Sequence, residues 1–143
     1  MRRDYTDEEI ALLAEKAVGK HSQGLNCAQC VFLMFAREAG LSEETAGKLM
    51  QSFGGGLAVG EACGAFTGAA AALGLLSEAV TPGDLTAKEA HRARVRALAE
   101  AFREGAGALR CEALRPEDPE ARRAVCGGYI RLGTRLCAEA LRK

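Results

Sequence analysis

The residues in this chain best equipped for chemistry are its six cysteines, Cys27, Cys30, Cys63, Cys111, Cys126 and Cys137. A thiolate, not a thiol, is the form that attacks disulfides and binds metals, so the question for each is what would ionise it. Cys63 has the most suggestive surroundings. It follows Gly54, Gly55, Gly56 and Gly60 and opens onto the small and apolar run that ends at Ser77. The stretch from Phe53 to Leu76 reads as a glycine-rich loop that delivers Cys63 to the first turn of a buried helix. Unpaired N–H groups and the positive end of the helix dipole favour an anion there, which predicts a readily ionised thiol. Glu61, two residues away, would oppose that ionisation if close. A free cysteine packed as a small core residue is the competing reading.

Spacing discriminates among the others. Cys27 and Cys30 form a C-x-x-C at a predicted helix start, but a thioredoxin-like site requires a βαβ context that this sequence lacks. No second C-x-x-C exists, which argues against a zinc ribbon or finger. Cys27, Cys63, Cys111 and Cys126 sit on four different predicted elements and can meet only through the tertiary fold, as in a site built inside a helical bundle. Cys126 and Cys137 are separated by three helical turns, about 16 Å, so one of the two serves packing. Cys30 lies on nearly the same helix face as Cys27 and is expected at the edge of any site. His21 reads as an exposed helix-end histidine. No Ser-His-Asp order, P-loop or paired-carboxylate motif stands out, which leaves no basis for a hydrolase or a kinase.

The elements that must position these thiols are helices. The chain has 28 alanines against 14 valines, isoleucines and threonines together, a balance that favours helix over strand. Thr6-Asp7-Glu8-Glu9 is a capping box for a first helix to about His21, with Ile10, Leu13, Ala14, Ala17 and Val18 inward. Asn26 caps a second helix, Cys27 to about Ala39, that is apolar on more than one side. Ser42 caps a third, ending before the glycine triplet. A fourth runs from near Cys63 to near Ala79, with Gly60, Gly64, Gly68 and Ala72 as a ridge of small residues that allows close approach. Thr86-Ala87-Lys88-Glu89 predicts the cap of a fifth, with Val95, Leu98, Ala99 and Phe102 inward. Asp118-Pro119 starts a last helix to about Leu141. The expectation is therefore an all-α, single-domain bundle of five to six helices spanning residues 1–143.

Nineteen basic and nineteen acidic residues cancel, which removes the electrostatic argument for nucleic acid or an anionic membrane surface. The chain has no Trp, two Tyr and five Phe, few rings for stacking on bases or sugars. Arg2 and Arg3 have no apolar run behind them, unlike a signal peptide, and Ala62 to Ser77 is short for a membrane span. The default setting is cytoplasmic and reducing, where cysteines more often mean metal or redox chemistry than structural disulfides.

Asn26-Cys27-Ala28-Gln29, Phe53-Gly54-Gly55-Gly56, Cys63-Gly64-Ala65-Phe66-Thr67-Gly68 and the single cysteines 111 and 126 together resemble a family of redox-active proteins named for its C…CGAxxG…C…C pattern. The match extends from about residue 22 to the C-terminus. The resemblance implies that Cys27, Cys63, Cys111 and Cys126 are the family's four cysteines, with Cys30 and Cys137 outside the pattern. A related domain in split-Soret multihaem cytochromes points to electron transfer, although the absence of C-x-x-C-H here excludes a covalent c-type haem. Three functions follow as expectations. In the first, Cys27, Cys63, Cys111 and Cys126 bind an iron–sulfur or similar metal centre, with Gly64 and Gly68 giving it room. In the second, a metal-free thiol–disulfide protein uses Cys63 as nucleophile and Cys27 or Cys111 as resolving thiol. In the third, a structural zinc holds a small helical module together. Any redox partner protein is left open.

Overall fold

Side-chain caps start most of the helices in this protein. The computed structural model describes residues 4–142; Arg2 and Arg3 lie outside the described residues. Helix α1 (Asp7–Ser22) begins at the expected capping box, in which the Thr6 hydroxyl accepts from the Glu9 N–H at 3.1 Å and Glu9 Oε1 accepts from the Thr6 N–H at 2.9 Å. It is followed by α2 (Cys27–Ala36), α3 (Glu43–Met50), α4 (Gly64–Leu75), α5 (Leu85–Ala106), the single turn α6 (Cys111–Leu114) and α7 (Pro119–Leu141). Among the described residues, six helices of eight residues or more meet the expectation of five or six. Among the described residues there is no strand, only one isolated antiparallel bridge between Ala62 and Arg110. The protein is all-α.

Boundaries moved where a stronger local signal existed. The N-cap of α5 is Asp84, which accepts from the Ala87 N–H at 3.0 Å, so the box predicted at Thr86 does not form. With the helix started from Asp84, Thr86 already lies inside the first turn and is no longer an N-cap. Helix α4 stops at Leu75, short of Ala79. Helix α2 tightens into a 3₁₀ turn over Arg37–Ala39 and is ended by Gly40 at φ 81°. The turn α6 was not foreseen.

Helix α2 is the centre. Ala28, Cys30, Val31, Phe32, Phe35 and Ala36 are all buried, as expected for a helix apolar on several sides. Its most extensive partner is α4, while α7 packs on α1, α4 and α5. The α2–α4 contact is a backbone contact. A Cβ added at Gly68 would lie 2.5 Å from the Ala28 carbonyl oxygen, and one at Gly64 would lie 3.1 Å from the Ala28 nitrogen and 3.2 Å from Cys27 Cβ. On the other side, a Cβ at Gly133 of α7 would come 2.5 Å from the Ala65 carbonyl oxygen. The predicted ridge therefore holds for Gly64 and Gly68. Gly60 does not belong to it: it sits in the preceding turn at φ 78° and faces Glu112, because the chain enters α4 only after Cys63.

These contacts set an expectation for stability. Gly68→Ala should cost about 1–3 kcal/mol by overpacking against α2. Gly128→Ala, where an added Cβ meets nothing within 4 Å, should be neutral or gain about 0.5–1 kcal/mol from helix propensity. Urea unfolding of both variants checks the pair, and equal stabilities would remove the close-approach argument.

Candidate functional site

Each of the four pattern cysteines is placed by a different local device. Cys27 is the first residue of α2, and the capping residues before and after it are stitched to α3. The Asn26 side chain accepts from the Gln29 N–H at 2.8 Å, and its Nδ2 donates to the carbonyls of Met50 and Gln51 at 3.3 Å. Gln29 Nε2 donates to the Gly47 carbonyl at 2.9 Å. The capping box thus also satisfies carbonyls at the end of α3. A Cβ on Gly54 would collide with the Asn26 side chain.

Cys63 is the N-cap of α4, one position before the first turn. Its approach is an unusual left-handed run: Gly55, Gly56, Leu57, Ala58 and Gly60 have φ between 60° and 78°. Leu57 and Ala58 pay a steric penalty there that glycine avoids. The run folds the backbone back so that Gly56 abuts Cys111 Cβ and the Glu61 backbone. Two hydrogen bonds then tie the segments together, from Cys63 N–H to the Leu109 carbonyl at 2.8 Å and from Cys111 N–H to the Glu61 carbonyl at 2.6 Å. Cys63 and Cys111 flank this short bridge. Glu61 turns its carboxylate to Arg110, at 3.5 Å.

Cys126 comes from α7. The result is one cavity of about 200 Å³ whose lining includes Cys27, Cys63, Cys111 and Cys126. Gly64 lines it as well; Gly68 lies one turn further along α4, against α2, and does not. Cys30 and Cys137 are also absent from the lining. Both are buried, and the Cys30 thiol faces the Leu25 carbonyl at 3.7 Å. All six cysteines are free thiols. Among the described residues, no three His, Cys, Asp or Glu side chains are grouped as a metal-ion site.

The electrostatics differ from the sequence expectation. Burial pushes the Cys63 thiol up to about 11, although the N–H groups of Ala65 and Phe66 point at its sulfur and favour the anion. Desolvation outweighs the helix terminus. Cys126 is the thiol that ionises first. A hydrogen bond from the Cys27 thiol holds it down to about 7 against the cost of burial, with Arg122 and Arg115 assisting. The same hydrogen bond, with burial, drives Cys27 far up. Burial raises Cys111, partly offset by Arg115 and Arg122. Cys30 is pushed to about 12 and Cys137 higher still, both by burial.

Further residues belong to the lining. His21 is not the exposed helix-end histidine expected: it is half-buried on the cavity, and burial followed by Arg123 holds its pKa below the usual value. Arg122 and Tyr129 share one face of α7 with Cys126, at i−4 and i+3. That periodicity was readable from the sequence once Cys126 was singled out. Tyr129 donates to the Leu114 carbonyl at 3.2 Å and so fastens α7 to α6. Arg115 carried no sequence signal, since only the turn after α6 brings it to the cavity.

The comparison with known families decides what this set of thiols belongs to. Residues 25–140 match the family model described as "Putative redox-active protein (C_GCAxxG_C_C)". The chain belongs to this family. The family's designation writes the central motif GCAxxG, and this member reads Cys63-Gly64-Ala65-Phe66-Thr67-Gly68 at the corresponding place. No curated protein and no solved structure matches the chain. Among the described residues no helix is long and apolar enough to cross a membrane.

The order of thiol reactivity follows from these environments. In the reduced, metal-free protein, iodoacetamide should alkylate Cys126 first, with a rate that rises as pH passes through about 7, and Cys30 and Cys137 last. Cys27→Ala removes the hydrogen bond and should move the inflection upward. Peptide mapping across a pH series checks this, and preferential labelling of Cys63 at pH 7 would reinstate the helix-terminus assignment.

Proposed function

We propose that this member of the redox-active family is an electron-transfer protein whose Cys27, Cys63, Cys111 and Cys126 hold an iron–sulfur or similar thiolate-bound centre. One observation carries the reading: the four cysteines of the family pattern come from four elements and line one cavity, while Cys30 and Cys137 do not. The donor set fits such a group, since four thiolates are the usual ligands of iron–sulfur clusters. The four cysteines line a cavity and are not grouped as a single-ion site, which suits a polyatomic sulfur-bridged centre better than a single ion. When bound, a centre of this kind supplies reversible electron uptake and release.

The chain's own contribution is placement and partial burial. The bridge between residues 61–63 and 109–111 fixes Cys63 relative to Cys111. The N–H groups of Ala65 and Phe66 stabilise negative charge on the Cys63 sulfur. Gly64 keeps the wall beside Cys27 thin, and Leu114 and Tyr129 also line the cavity. Because the thiols are mostly protonated near neutral pH, loading releases protons and strengthens as pH rises. A reducing cytoplasm and a protein electron donor or acceptor complete the reading.

A second reading rests on the hydrogen bond between Cys27 and Cys126. In it the Cys126 thiolate attacks one sulfur of a substrate disulfide and expels the other as a thiolate. Cys27 then gives up its proton and attacks the Cys126 sulfur. This releases the second substrate thiol and leaves a Cys27–Cys126 disulfide, two electrons having passed to the substrate.

Anaerobic purification with visible absorption and analysis for iron, zinc and acid-labile sulfide separates the readings. The expected protein is coloured and holds iron and sulfide. Cys63→Ser should lose them, and Cys30→Ser and Cys137→Ser should keep them. A colourless, metal-free protein with a reversible Cys27–Cys126 disulfide supports the second reading, and one tight zinc supports a structural role.

A further inference from the structure

The charged side chains on the thiol cavity are of one sign. Arg115 and Arg122 line it, and among the described residues no carboxylate does. In a chain whose acidic and basic residues cancel, this is a local arrangement. Elsewhere, five arginines stand on carboxylates, Arg96 on Glu89, Arg103 on Glu100, Arg110 on Glu61 and Glu112, Arg131 on Glu15 and Arg142 on Asp7, while Arg37, Arg92, Arg94, Arg123 and Arg135 do not line the cavity. Arg115 and Arg122 form no ion pair of this kind among the described residues.

Among the described residues neither guanidinium is paired with a carboxylate, although the Glu112 carboxylate opposes them at Cys111. Arg122 is gripped from behind by neutral acceptors, its Nε donating to the Pro116 carbonyl at 3.1 Å and its Nη2 to the Glu117 carbonyl at 3.0 Å. It also sits near the N-terminal end of α7, where the helix dipole favours anions over cations. Arg115 reaches across Gly55, its Nη1 3.7 Å from where a Cβ would stand. Both guanidinium groups favour negative charge on the same two sulfurs, Cys111 and Cys126.

We infer that Arg115 and Arg122 are the counter-charges of the thiol centre, stabilising the negative charge it gains on reduction and thereby raising its reduction potential. The inference rests on the reading that these four cysteines form a redox centre. It concerns positioning residues, since neither arginine is assigned as a ligand. The electron taken up stays on the centre, and the two cations lower the free energy of that state relative to the oxidised one. The partly buried Arg122 should act with little salt dependence, and the exposed Arg115 with more.

The test is a redox titration, followed by visible absorption, of the full chain loaded anaerobically with iron and sulfide. Wild type is compared with Arg115→Gln, Arg122→Gln, the double variant, Arg115→Lys, Arg122→Lys and Arg131→Gln as a remote control. Each Gln replacement should shift the reduced-to-oxidised ratio about tenfold toward oxidised, equivalent to about 59 mV for a one-electron couple. The double variant should shift further, the Lys variants should recover most of the change, and Arg131→Gln should match wild type. Iron and sulfide per chain, measured on every variant, separate a lowered potential from failure to load. Arg115→Gln breaks no side-chain hydrogen bond and keeps the test open if Arg122→Gln unfolds. Unchanged potentials in the Gln variants, or Lys variants as low as Gln, overturn the inference. A wild type that takes up no iron or sulfide sinks the cluster reading alone. The same variants are then equilibrated with glutathione redox buffers at pH 8, where the Cys27–Cys126 couple should move in the same direction. No shift there overturns the inference as well.

Discussion

Everything at the site depends on how closely two helix backbones meet. With no side chain at Gly64 or Gly68, α4 lies against the Cys27–Ala28 backbone of α2. That contact puts the N-terminal ends of the two helices side by side, and with them Cys27 and Cys63. Gly133 repeats the device on the far side of α4, bringing α7 against Ala65. Three helices in near-backbone contact leave little freedom in the positions of Cys27, Cys63 and Cys126. A wider, leucine-filled interface would have spaced the same thiols apart, since interhelical distances follow the side chains at the contact.

The cavity then sets two electrostatic demands against each other. Burial disfavours every thiolate in it, and for Cys63 that cost exceeds the help of two N–H donors. Only Cys126, with a thiol donor and two arginines beside it, ends below its ordinary value. The site is therefore graded: one sulfur carries charge readily, and the others carry it only when something else compensates. Such grading is what separates a reactive constellation from cysteines that merely fill a core.

Much of this was legible in the sequence. The caps at Thr6, Asn26, Ser42 and Asp118 all formed, because a single side chain satisfying the N–H three residues ahead is a local event. The inward faces of α1 and α5 were likewise readable: Ile10, Ala14, Ala17, Leu98 and Phe102 are buried. Four elements sharing one cavity was an inference from pattern, and its geometric form was not accessible. The left-handed excursion at Leu57 and Ala58 could not be read, since non-glycine residues avoid it and only the surrounding contacts enforce it. The ionisation order was missed for a related reason. A helix terminus can be seen in a sequence, whereas the depth of burial around Cys63 is a property of the assembled fold.

The order in which the cavity walls lie along the chain has a consequence for biosynthesis. Cys27, Cys63 and Cys111 precede α7, which contributes Cys126, Arg122 and Tyr129 and covers α1, α4 and α5. A chain made from its N-terminus presents Cys27, Cys63 and Cys111 in that order, all ahead of the helix that shelters them. Until α7 docks, those thiols face solvent and whatever oxidants or metals it contains. The complete pocket thus exists only once α7 has emerged and docked, and delivery of any inorganic component has to wait for that docking.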